Sequence, residues 1–334
     1  MSDGNEAPNP RPAKDLKGLL RFCMEATRRE DAQGSEIIEP MTEDRKKWLE
    51  EAFIQMSVSP VERMSICVSV IENAEIDTEE GTEQQIKALD ELQDWAEDVD
   101  IAGDFIKING LRIVPGLLAS EVSDLRWNCL ELLANLSQNN PTGQTAVLSL
   151  HLMPAILLMI DTDPNPTVRV KALYALSCLV RSNTEAQGRL KALDGLSVLV
   201  RALSSEEEKI RIKATFLISS MCGHDPSFKD ALLEKGAVEQ LVYLLKTEGH
   251  SMIHEHLMSA LLAIVTNHKA AQERCLREDM DVRSFLCERL RLLSDKEEFQ
   301  EEREHADKLL QVLNSPTETP SSSSENRSMS LMLA

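Results

Sequence analysis

The chain has 334 residues, 42% apolar but only 4% aromatic, and a formal net charge of −20 from 56 acids and 36 bases. That composition supports a large core of Leu, Ala and Val on helices, and disfavours the β-branched and aromatic mixture of a β-sandwich. So acidic a chain is ill-suited to nucleic acid, whose binding runs on Lys and Arg displacing counterions, and no apolar run reaches the ~20 residues that span a bilayer.

Residues 1–14 hold Pro8, Pro10 and Pro12 and no basic-then-apolar leader, and residues 1–40 are expected to form a flexible N-terminal segment. One apolar patch interrupts it, Gly18-Leu19-Leu20-Arg21-Phe22-Cys23-Met24, flanked by Lys14, Lys17, Arg28 and Arg29. Residues 41–97 predict an N-terminal helical cap, including a helix over 42–55 with Thr42 and Arg45 at helix-start spacing. Residues 72–104 carry 13 acids and a single base, Lys87, which reads first as a solvated helix face.

The chain then repeats itself. Leu125-Arg126-Trp127, Val168-Arg169-Val170, Ile210-Arg211-Ile212 and Ile253-His254-Glu255 recur at offsets of 43, 42 and 43 residues. Each opens a helix with apolar residues at three- and four-residue steps, as in Val168, Ala172, Leu173, Ala175, Leu176 and Leu179. A shorter helix precedes it, ending in a Leu pair such as Leu117-Leu118, Leu157-Leu158 or Leu244-Leu245. Before that comes a third short helix, closed by Gly110, Gly195 or Gly236, with His151 in the equivalent place of the second unit. Glycine there predicts a helix end needing positive φ. Asn139-Asn140-Pro141, Ser182-Asn183 and Asp225-Pro226 supply capping chemistry where units begin.

Three helices per ~42 residues is the armadillo period, and the stretch from Asp194-Gly195-Leu196 through Ala214-Thr215-Phe216-Leu217-Ile218 resembles the armadillo consensus. The fold expected is all-α: an armadillo-like, right-handed superhelical solenoid. Four three-helix repeats over 98–268 (98–138, 139–182, 183–224 and 225–268) are followed by a C-terminal helical cap over 269–313 and a disordered tail over 314–334. In such a unit the third helix lines the concave face. The register then puts Asn128, Lys171, Lys213 and His256 in one inward row. The next row holds the pairs Glu131/Asn135, Tyr174/Cys178, Phe216/Ser220 and Ser259/Ala263, and a third holds Gln138, Arg181, Gly223 and Thr266. Armadillo proteins that grip extended peptides carry an Asn in nearly every third helix. Only Asn135 keeps it here, which favours a folded partner over a linear peptide. Lys171, Arg181 and Lys213 in equivalent positions suit carboxylates on that partner.

Signs of chemistry are missing. There is no phosphate-binding glycine loop and no HExxH, and His250, His254 and His256 lack a third metal ligand at obvious spacing and read as surface histidines. No enzyme activity, cofactor or metal is expected. The seven cysteines include no CxxC pair; they read as buried thiols in a reducing, cytoplasmic setting.

Ordered similarity runs through nearly all of residues 15–313. It includes Asp15-Leu16-Lys17-Gly18-Leu19-Leu20, Arg45-Lys46-Lys47-Trp48-Leu49-Glu50-Glu51-Ala52 and Thr167-Val168-Arg169-Val170-Lys171-Ala172-Leu173, then Leu193-Asp194-Gly195-Leu196 and Leu309-Leu310-Gln311. In these the chain resembles the cytosolic armadillo-type nucleotide-exchange factors of the 70-kilodalton heat-shock chaperone. The resemblance implies a co-chaperone that clasps one lobe of the chaperone's nucleotide-binding domain with its concave face and promotes ADP release. The partner-binding residues would be Asn128, Glu131, Asn135, Lys171, Tyr174, Arg181, Lys213, Phe216 and His256. It also implies that Leu19, Leu20 and Phe22 mimic substrate at the chaperone's substrate-binding domain. The alternative is an armadillo scaffold or adaptor for linear peptides.

Overall fold

The structure, a computed structural model, describes Lys47 and residues 59–75, 78–248 and 251–314. The readings placed on residues 1–40, on the helix over 42–55 and on the tail lie outside these residues, except that Lys47 is helical and exposed. Among the described residues there are 17 α-helices, two 3-10 turns and no strand. Helices α1 (Pro60–Asn73) and α2 (Glu79–Ala96) come first. Five triplets follow: α3 (Val99–Lys107), α4 (Val114–Leu118), α5 (Ser123–Ser137); α6 (Pro141–Ser149), α7 (Met153–Thr162), α8 (Pro166–Val180); α9 (Thr184–Ala192), α10 (Gly195–Ala202), α11 (Glu208–His224); α12 (Ser227–Glu234), α13 (Ala237–Thr247), α14 (Ile253–Val265); and α15 (Lys269–Cys275), α16 (Val282–Leu292), α17 (Gln300–Asn314). The last triplet occupies the expected C-terminal cap, and α17 lies against α14 as α14 lies against α11. No single described helix is long and apolar enough to cross a membrane.

Unit boundaries follow from local chemistry. Asn139, Ser182 and Asn267 take left-handed φ values of 51°, 55° and 56° and turn the chain after a third helix. The next residue then caps the new helix: Asn140 accepts from Gly143 N, Asn183 from Ala186 N and His268 from Ala271 N. The joint between first and second helices departs from the sequence expectation. The left-handed residues are Asn109, His151, Asp194, Gly236 and Asp281, so of the three glycines only Gly236 sits there for its φ. Gly110 and Gly195 are one position further on, and their reason is close approach. A Cβ would come within 2.3 Å of the Phe105 ring at Gly110 and 2.2 Å of Leu190 at Gly195.

A single apolar core runs from Met64 to Leu313. Leu125, Val168, Ile210 and Ile253, the residues that set the register, are all buried in it. Cys67, Cys129, Cys178, Cys222 and Cys275 are buried free thiols, while Cys287 is exposed and departs from the expectation. Burial pushes the Cys67, Cys222 and Cys275 thiols up to about 12, so they stay protonated.

The residue after each register position does a second job. Arg126 donates to both oxygens of Asp163, at 2.9 Å each, and to the Ser120 and Glu121 carbonyls. Arg211 pairs with Glu248 at the matching place two units on, and Arg169 donates to the Ile160 carbonyl at 3.0 Å. The carbonyls left over at the ends of third helices are also met. Gln144 donates to Cys178 O and Arg181 O, Gln187 to Val180 O, and Gln272 to Val265 O.

The Arg126–Asp163 pair has side-chain exposures of only 11% and 6%, so losing one partner strands a buried charge. Arg126→Ala should cost about 3–5 kcal/mol. Arg201 pairs with Asp161 at side-chain exposures of 57% and 26%, and Arg201→Ala should cost under about 1 kcal/mol. Urea unfolding of both variants measures this, and equal losses would contradict it.

Candidate partner-binding face

The third helices stack in order, α5 on α8, α8 on α11 and α11 on α14, with α2 against α5 at one end. Each spends its Leu, Ile and Ala stripe on the core. A row of larger polar and aromatic residues is left on the far side, as the 42–43-residue register requires. Among the candidates, Arg181 and Phe216 are exposed, and Glu131, Asn135, Lys171, Tyr174, Lys213 and His256 are partly exposed.

Contacts link these residues from one unit to the next. Lys171 Nζ lies 2.6 Å from Glu131 Oε2 and 5.9 Å from the centre of the Trp127 ring. Lys213 Nζ sits 4.6 Å over the Tyr174 ring. Tyr174 in turn donates its hydroxyl to Gln138 Oε1 at 3.2 Å. The Phe216 and His256 rings lie 4.9 Å apart, and His256 Nε2 is 3.4 Å from Glu255 Oε1. Together they form an unbroken chain across four units, with a basic and aromatic centre. Burial, and next the positive charge of Lys171, lower the pKa of Lys213. Burial raises that of the Tyr174 phenol.

Two sequence readings need correction, those on Asn128 and His254. Asn128 is fully buried. Its amide donates to Asp124 O and its carbonyl accepts from Gln93 Nε2, both at 2.9 Å, so it cannot reach a partner. Asn135, the one remnant of the peptide-gripping Asn ladder, donates instead to Gln93 O at 3.3 Å. That contact ties α5 to α2 through one of the two amide hydrogens. His254 is no surface histidine: it is fully buried, at the position Arg126 and Arg211 hold in other units, while His256 points to the row. Leu19, Leu20 and Phe22 lie outside the described residues. Sequence reasoning missed Trp127 and Glu255 as members of the row, having read both only as alignment markers. The signal was there, since an aromatic and an acid stand where the other units carry Val170 and Ile212.

The chain is similar to known proteins along nearly its whole length. Residues 16–105 match the family "Nucleotide exchange factor Fes1", and residues 101–201 and 188–289 match the "SIL1/FES1/HPBP1 C-terminal domain". "Hsp70-binding protein 1" of Mus musculus is 36% identical over 321 residues, covering 93% of this chain and 89% of that protein. "Hsp70 nucleotide exchange factor FES1" of Mycosarcoma maydis is 30% identical over 156 residues, 47% of this chain and 40% of that one. Among solved structures, "Designed armadillo repeat protein YIII(Dq)4CqI" superposes with a TM-score of 0.60 at 19% identity, covering 74% of this chain and all (100%) of that one. That likeness identifies the fold as an armadillo-type all-α solenoid.

Lys213 is held at a cost to the fold, because its charge is partly desolvated beside a second lysine. With its pKa below the unfolded value, the unfolded chain binds this proton more tightly, so its contribution to stability rises with pH through that range. Lys213→Met should therefore leave the thermal midpoint at neutral pH unchanged or raised. The wild type should gain on the variant as pH climbs toward the ordinary lysine value. Thermal melts across that range test it, and a clear drop in midpoint at neutral pH would contradict it.

Proposed function

The chain belongs to the SIL1/FES1/HPBP1 family of nucleotide-exchange factors, and on that premise we propose that its third-helix face clasps one lobe of the Hsp70 nucleotide-binding domain. It is a nucleotide-exchange co-chaperone that binds Hsp70 and promotes ADP release. The observation that supports this face is the row Tyr174–Lys213–Phe216–His256, with Phe216 59% exposed at its centre. A phenyl ring left mostly in water one turn along from a partly buried lysine adds little to the isolated fold beyond its contact with His256, and central aromatics are the usual anchors of an interface. Lys171, Lys213 and Arg181 set orientation against carboxylates on the lobe.

The mechanism is a shift of population. A factor that fits the open arrangement of the lobes better than the closed one moves the equilibrium toward open, by no more than its difference in affinity for the two. Nucleotide, which favours closure, must weaken the factor's binding by the same free energy. No residue of the chain needs to touch nucleotide. In the same reading the protein acts on cytoplasmic Hsp70, and Leu19, Leu20 and Phe22 compete for its substrate-binding domain.

Phe216→Ala should weaken binding to the isolated nucleotide-binding domain by about 2 kcal/mol or more, with helix content unchanged. Stopped-flow release of a fluorescent ADP analogue should slow in proportion at sub-saturating factor. The control Lys269→Glu with Arg277→Glu alters residues 61% and 51% exposed outside the row and should release ADP as the wild type does. Equal loss in both variants, or none in Phe216→Ala, would overturn the assignment of this face.

A further inference from the structure

One joint in the array breaks the pattern that its neighbours keep. Four residues before the left-handed residue of each of the first four units stands a buried apolar side chain, and one residue after it a small one. The pairs are Phe105 with Gly110, Leu190 with Gly195 and Leu232 with Ala237; the two glycines let the joint close down on its apolar partner. In the second unit the sizes are exchanged, Val147 with Leu152. Both line a cavity of about 290 Å³ between α6, α7, α8 and α9, walled also by Ile156, Leu179 and Leu193. Leu193 is 42% exposed, and the cavity opens to solvent. Packed interiors hold few voids larger than a water molecule, and this one is close to the ~300–1,000 Å³ of ligand-binding cavities.

The charged group in the wall departs from the pattern too. Arg189, the sixth residue after the cap Asn183, matches Arg274, the sixth after the cap His268. Each reaches back to the joint of the preceding unit. Arg274 is met there by Glu239 at 2.6 Å, three residues after the left-handed Gly236. The same place after His151 holds Pro154, which is also in the cavity wall, so the acid is missing. Arg189 turns instead to Leu148 O at 2.9 Å, to His151 Nδ1 at 3.4 Å and to Glu185 at 2.6 Å. Glu185 is 61% exposed and one turn back on the same helix, and pairs of that kind are weak. The Arg189 Nε makes none of these bonds.

We propose that this cavity binds a small-molecule carboxylate with a compact aliphatic body. The aliphatic part fills the space between Val147, Ile156 and Leu179, and the carboxylate takes on Arg189 the place that Glu239 takes on Arg274. A planar guanidinium matches a carboxylate better than it matches a neutral acceptor, and it repels a cationic head.

Methyl NMR of the full-length protein, titrated with hexanoate, tests this. The Val147, Ile156 and Leu193 signals should shift saturably, with Kd on the order of 1 mM. Hexanamide and hexylamine should bind about tenfold more weakly or worse, and Arg189→Gln should cost hexanoate the same factor. Pro154→Glu supplies the missing acid and should block hexanoate, with helix content kept. Val147→Leu with Leu152→Gly installs the pair of the third unit and should remove the site, again with helix content kept. The proposal is overturned if hexanoate leaves those methyl signals unmoved, or if hexanamide binds as tightly. It is likewise overturned if hexanoate binds Arg189→Gln or Pro154→Glu as tightly as it binds the wild type.

Discussion

No three-helix unit of this chain can hide its own apolar stripe, and the rest of the structure depends on that. Burial comes only from the neighbours on either side, so each third helix must present core residues to two others at a fixed repeat. Leu125, Val168, Ile210 and Ile253 obey that rule and lie at the same depth. Everything else on those helices is then placed by helical geometry. A residue three positions further along is carried to the free side in the later units, as with Lys171, Lys213 and His256, while Asn128 in the first is covered. The face proposed to bind the partner is a by-product of the way the core is built.

Polar chemistry divides along the same line. Charged groups turned inward are matched within the fold, as where Arg126 meets both oxygens of Asp163 and Arg289 donates to the buried Glu302 at 2.6 Å. Groups turned outward are matched only in part. Lys171 has Glu131, but Lys213 has an aromatic ring below it, a second lysine nearby and no carboxylate at ion-pair distance in the contacts that define the row. A positive charge left short of a counter-charge, next to an exposed phenyl ring, is poor design for a free protein and good design for a docked one.

Much of this was legible in the sequence because the 42–43-residue period and the capping residues are local signals. Asn140 and Asn183 cap where their positions before Pro141 and Thr184 say they should. What escaped depends on contacts between units. Asn128 is polar and in register, yet Gln93, 35 residues earlier on α2, donates to its carbonyl, its amide turns back to Asp124 O, and it is fully buried. Gly110 and Gly195 looked like turn glycines, but they are fixed by Phe105 and Leu190 crossing in front of them, which no single position reveals. His254 was hidden for the same reason: it takes the register position of Arg126, Arg169 and Arg211, and its complete burial comes from packing between helices that its own neighbours in sequence do not show. Trp127 carried the opposite signal, an aromatic at a position that is aliphatic in the next two units.

Oxidative footprinting with hydroxyl radicals tests the central claim most directly, because the molecule contains its own control. Phe216 on a third helix and Tyr243 on the second helix α13 are 59% and 60% exposed, so both are open to oxidation in the free protein. On adding nucleotide-free Hsp70 nucleotide-binding domain, Phe216 and Tyr174 should lose most of their reactivity and Tyr243 should keep its own. Excess ADP should restore the first two. Protection of Tyr243 with Phe216 left reactive would contradict the account, since it would put the chaperone on the second-helix side of the solenoid.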